Sequence, residues 1–270
     1  MSRTLALIAG VLLCSAGRGE NAPAIGSPPA IGSPPVMGSP AVIDLPLTIV
    51  PAAGSSSSPW FTIFVSGDGG WAALDRGVAR ELAKHGISVV GWNSRKYFWS
   101  ARTPDGIASD LERVIRHYAS IWHKSRVILV GYSQGADTMP FMVNRLPASL
   151  RAEVDLTALV ALSDNALFEF HVASLLGSAP RGIPIAPELA RWSGSPYVCI
   201  YGAEDRDAAC DKLVEAHGST VKMAGGHHFD GHYSLIAQEI LSRLPKLPAA
   251  QTQGNCASIF CATSRIFGKN

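Results

Sequence analysis

The sequence predicts an α/β domain: a mostly parallel sheet with helices packed on both faces. Three observations predict it. Short apolar runs alternate with segments of helical periodicity through most of the chain. The runs are continuous rather than alternating in polarity, as strands buried on both faces must be. The order strand, helix, strand recurs, which favours crossover connections over hairpins.

The elements follow in order. "LPLTIV" (45–50) and "WFTIFVS" (60–66) read as strands joined by the turn-rich "PAAGSSSSP". A helical pattern runs from about Trp71 to His85, and "ISVVGW" (87–92) is the next buried strand. In residues 104–123, Ile107, Leu111, Val114, Ile115, Tyr118 and Trp122 fall at helical spacing, with Pro104 near the start. After these come strand "RVILVG", a helix from Ser133, and the strands "LTALVAL" (156–162) and "YVCIYG" (197–202). A helix near 208–217, strand "TVKM" (220–223) and a last helix over about 231–243 complete the domain, set at 44–245. "NALFEFHVASLLG" (165–177) is apolar enough for a lipid-facing lid, and equally for an ordinary packed helix.

The flanks differ in kind. "MSRTLALIAGVLLCSAG" (1–17) has a basic residue, an apolar run too short to span a bilayer, then small residues. That is the layout of a secretory signal peptide, so the protein is expected to be exported. Leu13 stands before Cys14 where a lipoprotein signal carries a small residue, which argues against lipidation. Residues 18–43 hold a nearly threefold hexad, "PAIGSPPAIGSPPVMGSP", whose proline and glycine density resists helix and sheet; it reads as an extended linker. Residues 246–270 lack periodicity and read as a tail.

At 270 residues, 47% hydrophobic and 16% charged, the chain is long and apolar enough for a large buried core. A net charge of +2, without basic runs or interleaved aromatics, excludes a nucleic-acid binder. Past the signal peptide four cysteines remain, an even number that permits disulfides in an oxidising compartment. The expected pairs are Cys199 with Cys210 and Cys256 with Cys261. No Cys/His spacing resembles a zinc site, and no cofactor motif is present.

The chemistry concentrates at "VILVGYSQGAD" (127–137), which fits the G-x-S-x-G nucleophile elbow. An apolar strand leads in and a helical pattern leads out, as the elbow needs. Gly131 and Gly135 allow strand and helix to approach closely, and Ser133 falls at a helix N-terminus, where free N–H groups favour developing negative charge. The elbow predicts its partners in the order nucleophile, acid, histidine. "CIYGAEDRDAAC" offers Asp205 and Asp207; "GGHHFDGHY" offers His227, His228 and His232. Asp205, three residues past Gly202, is chosen as the acid with Asp207 close behind. His227, directly after two glycines, is chosen as the base. "FVSGDGGW" follows the second strand and supplies an oxyanion loop, so the Asp68 and Gln134 amides are the expected donors. "GDGG" lacks the lysine and spacing of a phosphate-binding loop.

"SGDGGW", "YFWSARTPDGIASDL", "GYSQGADTMPFMVNRLP", "CIYGAEDRDAAC" and "GGHHFDGHY", in this order, resemble the bacterial VirJ/AcvB virulence-protein family from about Leu45 to Leu244. The resemblance implies a periplasmic protein of the α/β-hydrolase fold linked to type IV secretion. It implies Ser133 as the nucleophile and an activity on lysyl-phosphatidylglycerol, releasing lysine from the lipid. Gln134 stands where a Phe is common, and His232 where an Asp is common. A cationic aminoacyl group calls for a nearby carboxylate, and Asp137 and Asp68 are the candidates. Each also has a structural reading, Asp137 tying down the elbow and Asp68 capping a turn.

Overall fold

The computed structural model describes residues 41–54, 57–170, 182–213 and 218–246. All lie in one compact unit, Ser39–Asn270. The expected signal peptide, most of the linker, the tail, the Cys256–Cys261 pair and residues 171–177 of the lid candidate lie outside the described residues. Val42 already packs into the core at 6% exposure, so the packed domain starts ahead of residue 44.

Nine strands are described: β1 (Leu47–Val50), β2 (Trp60–Val65), β3 (Ser88–Trp92), β4 (Arg126–Tyr132), β5 (Val154–Val160), β6 (Asn165–Ala166), β7 (Ile183–Pro184), β8 (Tyr197–Gly202) and β9 (Gly218–Met223). The helices are α1 (Ala73–Lys84), α2 (Ser94–Tyr97), α3 (Pro104–Trp122), α4 (Gln134–Arg145), α5 (Ala148–Arg151), α6 (Ala186–Ala190), α7 (Cys210–Leu213) and α8 (Tyr233–Ser242). Seven strands form one sheet in the order β1-β3-β2-β4-β5-β8-β9. All pair in parallel except β1, which runs antiparallel to β3. β6 and β7 form a separate two-residue ribbon, so the start of the lid candidate is a short strand followed by irregular chain, not a helix.

Side-chain alternation along the central strands builds two cores. Val127 and Leu129 of β4 join Phe61, Ile63 and Val65 of β2 on the face covered by α3 and α4. Ile128, Val130 and Tyr132 join Phe64 on the face covered by α1 and α8. Both faces of β2 and β4 are therefore dry, which is why their sequences are unbroken apolar runs. α3 begins where sequence cues place it: the Thr103 hydroxyl accepts from the Gly106 N–H at 3.1 Å, and Pro104 occupies the first helical position. α2 was not legible as a helix because it is one turn long; the Asn93 side chain caps it by accepting from the Lys96 N–H. Among the described residues no helix is long and apolar enough to cross a membrane.

Strand order reverses beside β2, with β3 on one side and β4 on the other. The loops leaving the carboxyl ends of β2 and β4 diverge there, the point where open α/β sheets usually hold their ligand crevice. This edge of the sheet depends on close packing at the elbow. A Cβ on Gly135 would lie 2.1 Å from the Val65 carbonyl oxygen, and one on Gly131 would lie 2.4 Å from the Gly135 carbonyl oxygen. Both obstacles are backbone and cannot rotate away. Gly135→Ala is expected to destabilise the fold by about 3 kcal/mol, the upper end for overpacking. A urea unfolding midpoint equal to wild type would contradict that.

The Cys199–Cys210 disulfide forms as expected, with the Cα atoms 5.6 Å apart. It ties the interior of β8 to the start of α7, and the loop it closes carries Asp205.

Candidate active site

β4 delivers Ser133 to the centre of the sheet edge. The backbone there turns sharply, with Ser133 at φ 50° and ψ −119°, in the region that side-chain-bearing residues avoid. The turn is held from below, since the Ser133 N–H donates to the Val160 carbonyl at 2.9 Å and its carbonyl accepts from the Asp137 N–H at 2.9 Å. The hydroxyl stands at the N-terminus of α4.

Two loops meet it. His227, past the end of β9, has Nε2 at 3.0 Å from Ser133 Oγ. Its Nδ1 lies 2.8 Å from Asp205 Oδ2, in the loop after β8. A carboxylate only accepts, so the proton sits on Nδ1 and Nε2 is left free to accept from the serine hydroxyl. The Asp205 side chain is 3% exposed and that of His227 35%, so the carboxylate is sheltered while the imidazole is partly open. Asp207 takes no part: it is exposed, and its backbone N–H donates to Asp205 Oδ1 at 3.2 Å.

The other histidines have different tasks. His228 Nδ1 is 2.7 Å from the Tyr132 hydroxyl, which also lies 3.3 Å from the His227 carbonyl oxygen. His232 is exposed and starts α8. Tyr132, the residue just before Ser133, is the one the sequence did not flag. It fastens the histidine loop to the elbow, and burial pushes its phenol above the ordinary range. Tyr132→Phe is expected to lower ester turnover about fivefold through a looser His227, the cost of one lost hydrogen bond. Unchanged kcat would show that the loop holds its place without it.

The loop after β2, expected to supply the oxyanion donors, is positioned from β3 and α2. The Ser66 N–H donates to the Trp92 carbonyl at 3.0 Å, and Ser66 Oγ accepts from the Ser94 N–H at 3.0 Å. A turn follows, closed by the Gly70 N–H on the Gly67 carbonyl at 2.9 Å. Gly67 lies against Ser133: a Cβ there would be 3.3 Å from Ser133 Cβ. No described residue accepts a hydrogen bond from the N–H of Asp68 or of Gln134. The two amides expected as donors are thus uncommitted among the described residues. The Asp68 carboxylate is exposed at the tip of this turn and makes no ion pair with a described residue.

Of the two readings of Asp137, the geometry fits the structural one, tying down the elbow. Asp137 is buried, and both carboxylate oxygens are taken by Ser163, from its N–H at 2.8 Å and its hydroxyl at 2.9 Å. It ties the first turn of α4 to the loop after β5 and is not free to meet a substrate cation. Burial pushes it up to about 7. Its ordinary value in an unfolded chain is about 3.9, so between the two the folded protein holds a proton that the unfolded chain has lost. Stability from this group is therefore complete below about pH 4 and declines as pH rises towards 7, by at most about 4 kcal/mol. Asp75, at the start of α1, is pushed in the same direction by burial, to about 6. Asp137→Asn keeps an acceptor for Ser163 and is expected to flatten the decline. Urea midpoints measured at about pH 5 and pH 7.5 should differ less in the variant than in wild type. An equal difference would assign the decline to other groups.

Among the described residues no three His, Cys, Asp or Glu side chains gather to hold a metal. A separate hollow lined by Asp155, Ser195, Tyr197 and Arg243 opens at the amino-terminal edge of the sheet, away from the Ser133 crevice.

The comparisons agree with this architecture. The family model of the bacterial virulence protein VirJ matches residues 60–247, a span that holds the elbow, the oxyanion loop and both partner loops. The chain belongs to the VirJ family. No match was found among curated proteins. Among solved structures, this VirJ-family chain is similar to an alpha-beta serine hydrolase homologue from Coxiella burnetii, at 18% identity and a TM-score of 0.53, covering 74% of this chain and 91% of that one. It is also similar to MenH from S. aureus, at 11% identity and TM-score 0.54, covering 73% and 97%. A third likeness is to Est1E from Butyrivibrio proteoclasticus with ferulic acid bound, at 11% identity and TM-score 0.53, covering 74% and 95%. Identities this low establish the fold of the VirJ-family chain, which is that of the α/β hydrolases.

Proposed function

We propose that this chain is an exported, periplasmic serine hydrolase that cleaves the ester of an aminoacyl-phospholipid such as lysyl-phosphatidylglycerol. The observation that carries the reading is the continuous hydrogen-bonded series from Ser133 through His227 to Asp205, set on a strained elbow.

The geometry supports the following course. Ser133 Oγ attacks the acyl carbon of the ester while its proton passes to His227 Nε2. Asp205 stabilises the imidazolium that forms. The carbonyl oxygen gains the negative charge and is met by the Asp68 and Gln134 amides, strengthened by the N-terminus of α4. Collapse breaks the bond to the lipid glycerol oxygen, which leaves with the proton from His227. Water then gives a proton to His227 and attacks the aminoacyl-serine; the free amino acid departs and the serine proton returns. The exposed Asp68 carboxylate pairs with the ammonium groups of a lysyl substrate. Asp137 does not, because Ser163 already occupies it.

The test is lysine release from lysyl-phosphatidylglycerol, run beside a simple water-soluble acyl ester. Release by wild type that disappears in Ser133→Ala supports the reading. Turnover of the simple ester alone would reduce it to a general carboxylesterase. A folded wild type that a fluorophosphonate probe leaves unlabelled would favour a non-catalytic binding factor in type IV secretion.

A further inference from the structure

We infer that the surface formed by Trp99, Phe170, Arg95 and Lys96 docks the protein on an anionic phospholipid bilayer, seating the Ser133 crevice at the lipid headgroups. The inference deepens the reading of the substrate as a lipid ester and rests on it for its purpose, but its observations are separate.

Trp99 is 62% exposed, the most exposed aromatic side chain among the described core-size hydrophobics. It is not loose: its ring stacks on that of Phe170, centroids 5.7 Å apart and planes 17° from parallel. The Arg95 guanidinium lies 5.6 Å from the Phe170 centroid on the same cluster. Lys96 is exposed next to Arg95 on α2, and neither forms an ion pair with a described residue. An aromatic pair flanked by uncommitted cations combines the two terms that hold a peripheral protein on an anionic membrane. An indole favours the headgroup boundary, and each cation near the surface adds Coulomb attraction.

The patch is also rigidly tied to the catalytic crevice. Loop 167–170 is bonded through the Phe170 N–H to the Phe98 carbonyl at 2.6 Å, and through the Phe168 carbonyl to the Arg102 N–H at 2.8 Å. The same loop accepts from Gln134 Nε2 at the Leu167 carbonyl, 3.2 Å away, so it hangs from the residue after the nucleophile. On the other side Arg95 reaches the oxyanion turn: a Cβ on Gly70 would lie 3.4 Å from Arg95 Cβ. Both arms of the patch are thus anchored to residues that flank Ser133. A membrane contact here brings headgroups to the site rather than to a remote face.

Flotation of the full chain with vesicles tests this, using Ser133→Ala as the parent so that turnover cannot alter the lipid. The parent is expected to float with equimolar phosphatidylglycerol–phosphatidylcholine vesicles at low salt, and poorly with phosphatidylcholine alone. Arg95→Gln with Lys96→Gln is expected to weaken that binding about thirtyfold, from the two cations removed. Trp99→Ala should weaken it several-fold. With Ser133 restored, the same variants should keep wild-type activity on the water-soluble ester. Equal capture by neutral vesicles, or variants that float like the parent, would overturn the inference. A wild type that floats but releases no lysine would instead remove the substrate reading and leave the docking surface standing.

Discussion

Ser133→Ala is expected to lower hydrolysis of any ester this protein cleaves by about a million-fold, the loss typical when a triad nucleophile is removed. His227→Ala should lose nearly as much, and the double variant little more, because the two act as one unit. The fold is expected to survive: the Ser133 backbone bonds to Val160 and Asp137 do not involve the side chain. The strained backbone supplies an internal check. At φ 50°, any residue with a Cβ is held against its preference, whereas glycine is not. Ser133→Gly should therefore be more stable than Ser133→Ala by about 1 kcal/mol while equally inactive. Thermal unfolding of the two variants reads the difference. Substantial turnover remaining in Ser133→Ala would mean that the reaction does not pass through this serine.

The second large effect separates two aspartates that stand two residues apart. Asp205→Asn is expected to cost about ten-thousandfold in kcat, and Asp207→Asn less than about twofold. Asp205 Oδ2 fixes the proton on His227 Nδ1, leaving Nε2 to accept from Ser133. An asparagine can offer its N–H to Nδ1 instead, which turns the other tautomer towards the serine and removes the base. Asp207 contributes only a backbone N–H, which asparagine retains. Steady-state rates on one water-soluble ester, with both variants at matched folded concentration, measure the contrast. Similar losses in both would mean that the loop as a whole, rather than one carboxylate, supports His227.

The parts of this arrangement legible in the sequence are those that local rules govern. β2 and β4 are buried on both faces, so their residues are apolar without interruption, and the strands could be read directly. Gly131 and Gly135 had to be glycines because backbone oxygens stand where their side chains would be. Even the order of acid and histidine along the chain was readable, since both follow strands that end at the same sheet edge. Asp137 shows where such reading stops. Its position one turn past Ser133 correctly put it near the elbow, but its partner, Ser163, arrives after β5, 26 residues on. No local pattern announces that pairing, and it turned a candidate substrate ligand into a brace. Tyr132 escaped notice for the same reason, because its partners lie in the histidine loop, 95 and 96 residues later. Helix α2 was missed because a single turn has too little periodicity to register.

The sequence by itself determined the class of fold, the elbow at Ser133 and the two loops that meet it. Strand burial and the steric demands of a tight turn act on neighbouring residues and leave a local trace. Tertiary structure alone decided which of two aspartates meets the histidine, that Asp137 faces inward, and that Trp99 stacks on Phe170 beside Arg95 and Lys96. Those outcomes depend on distances of a few ångströms between segments far apart in the chain, and contacts across such separations write no periodic signal into either segment.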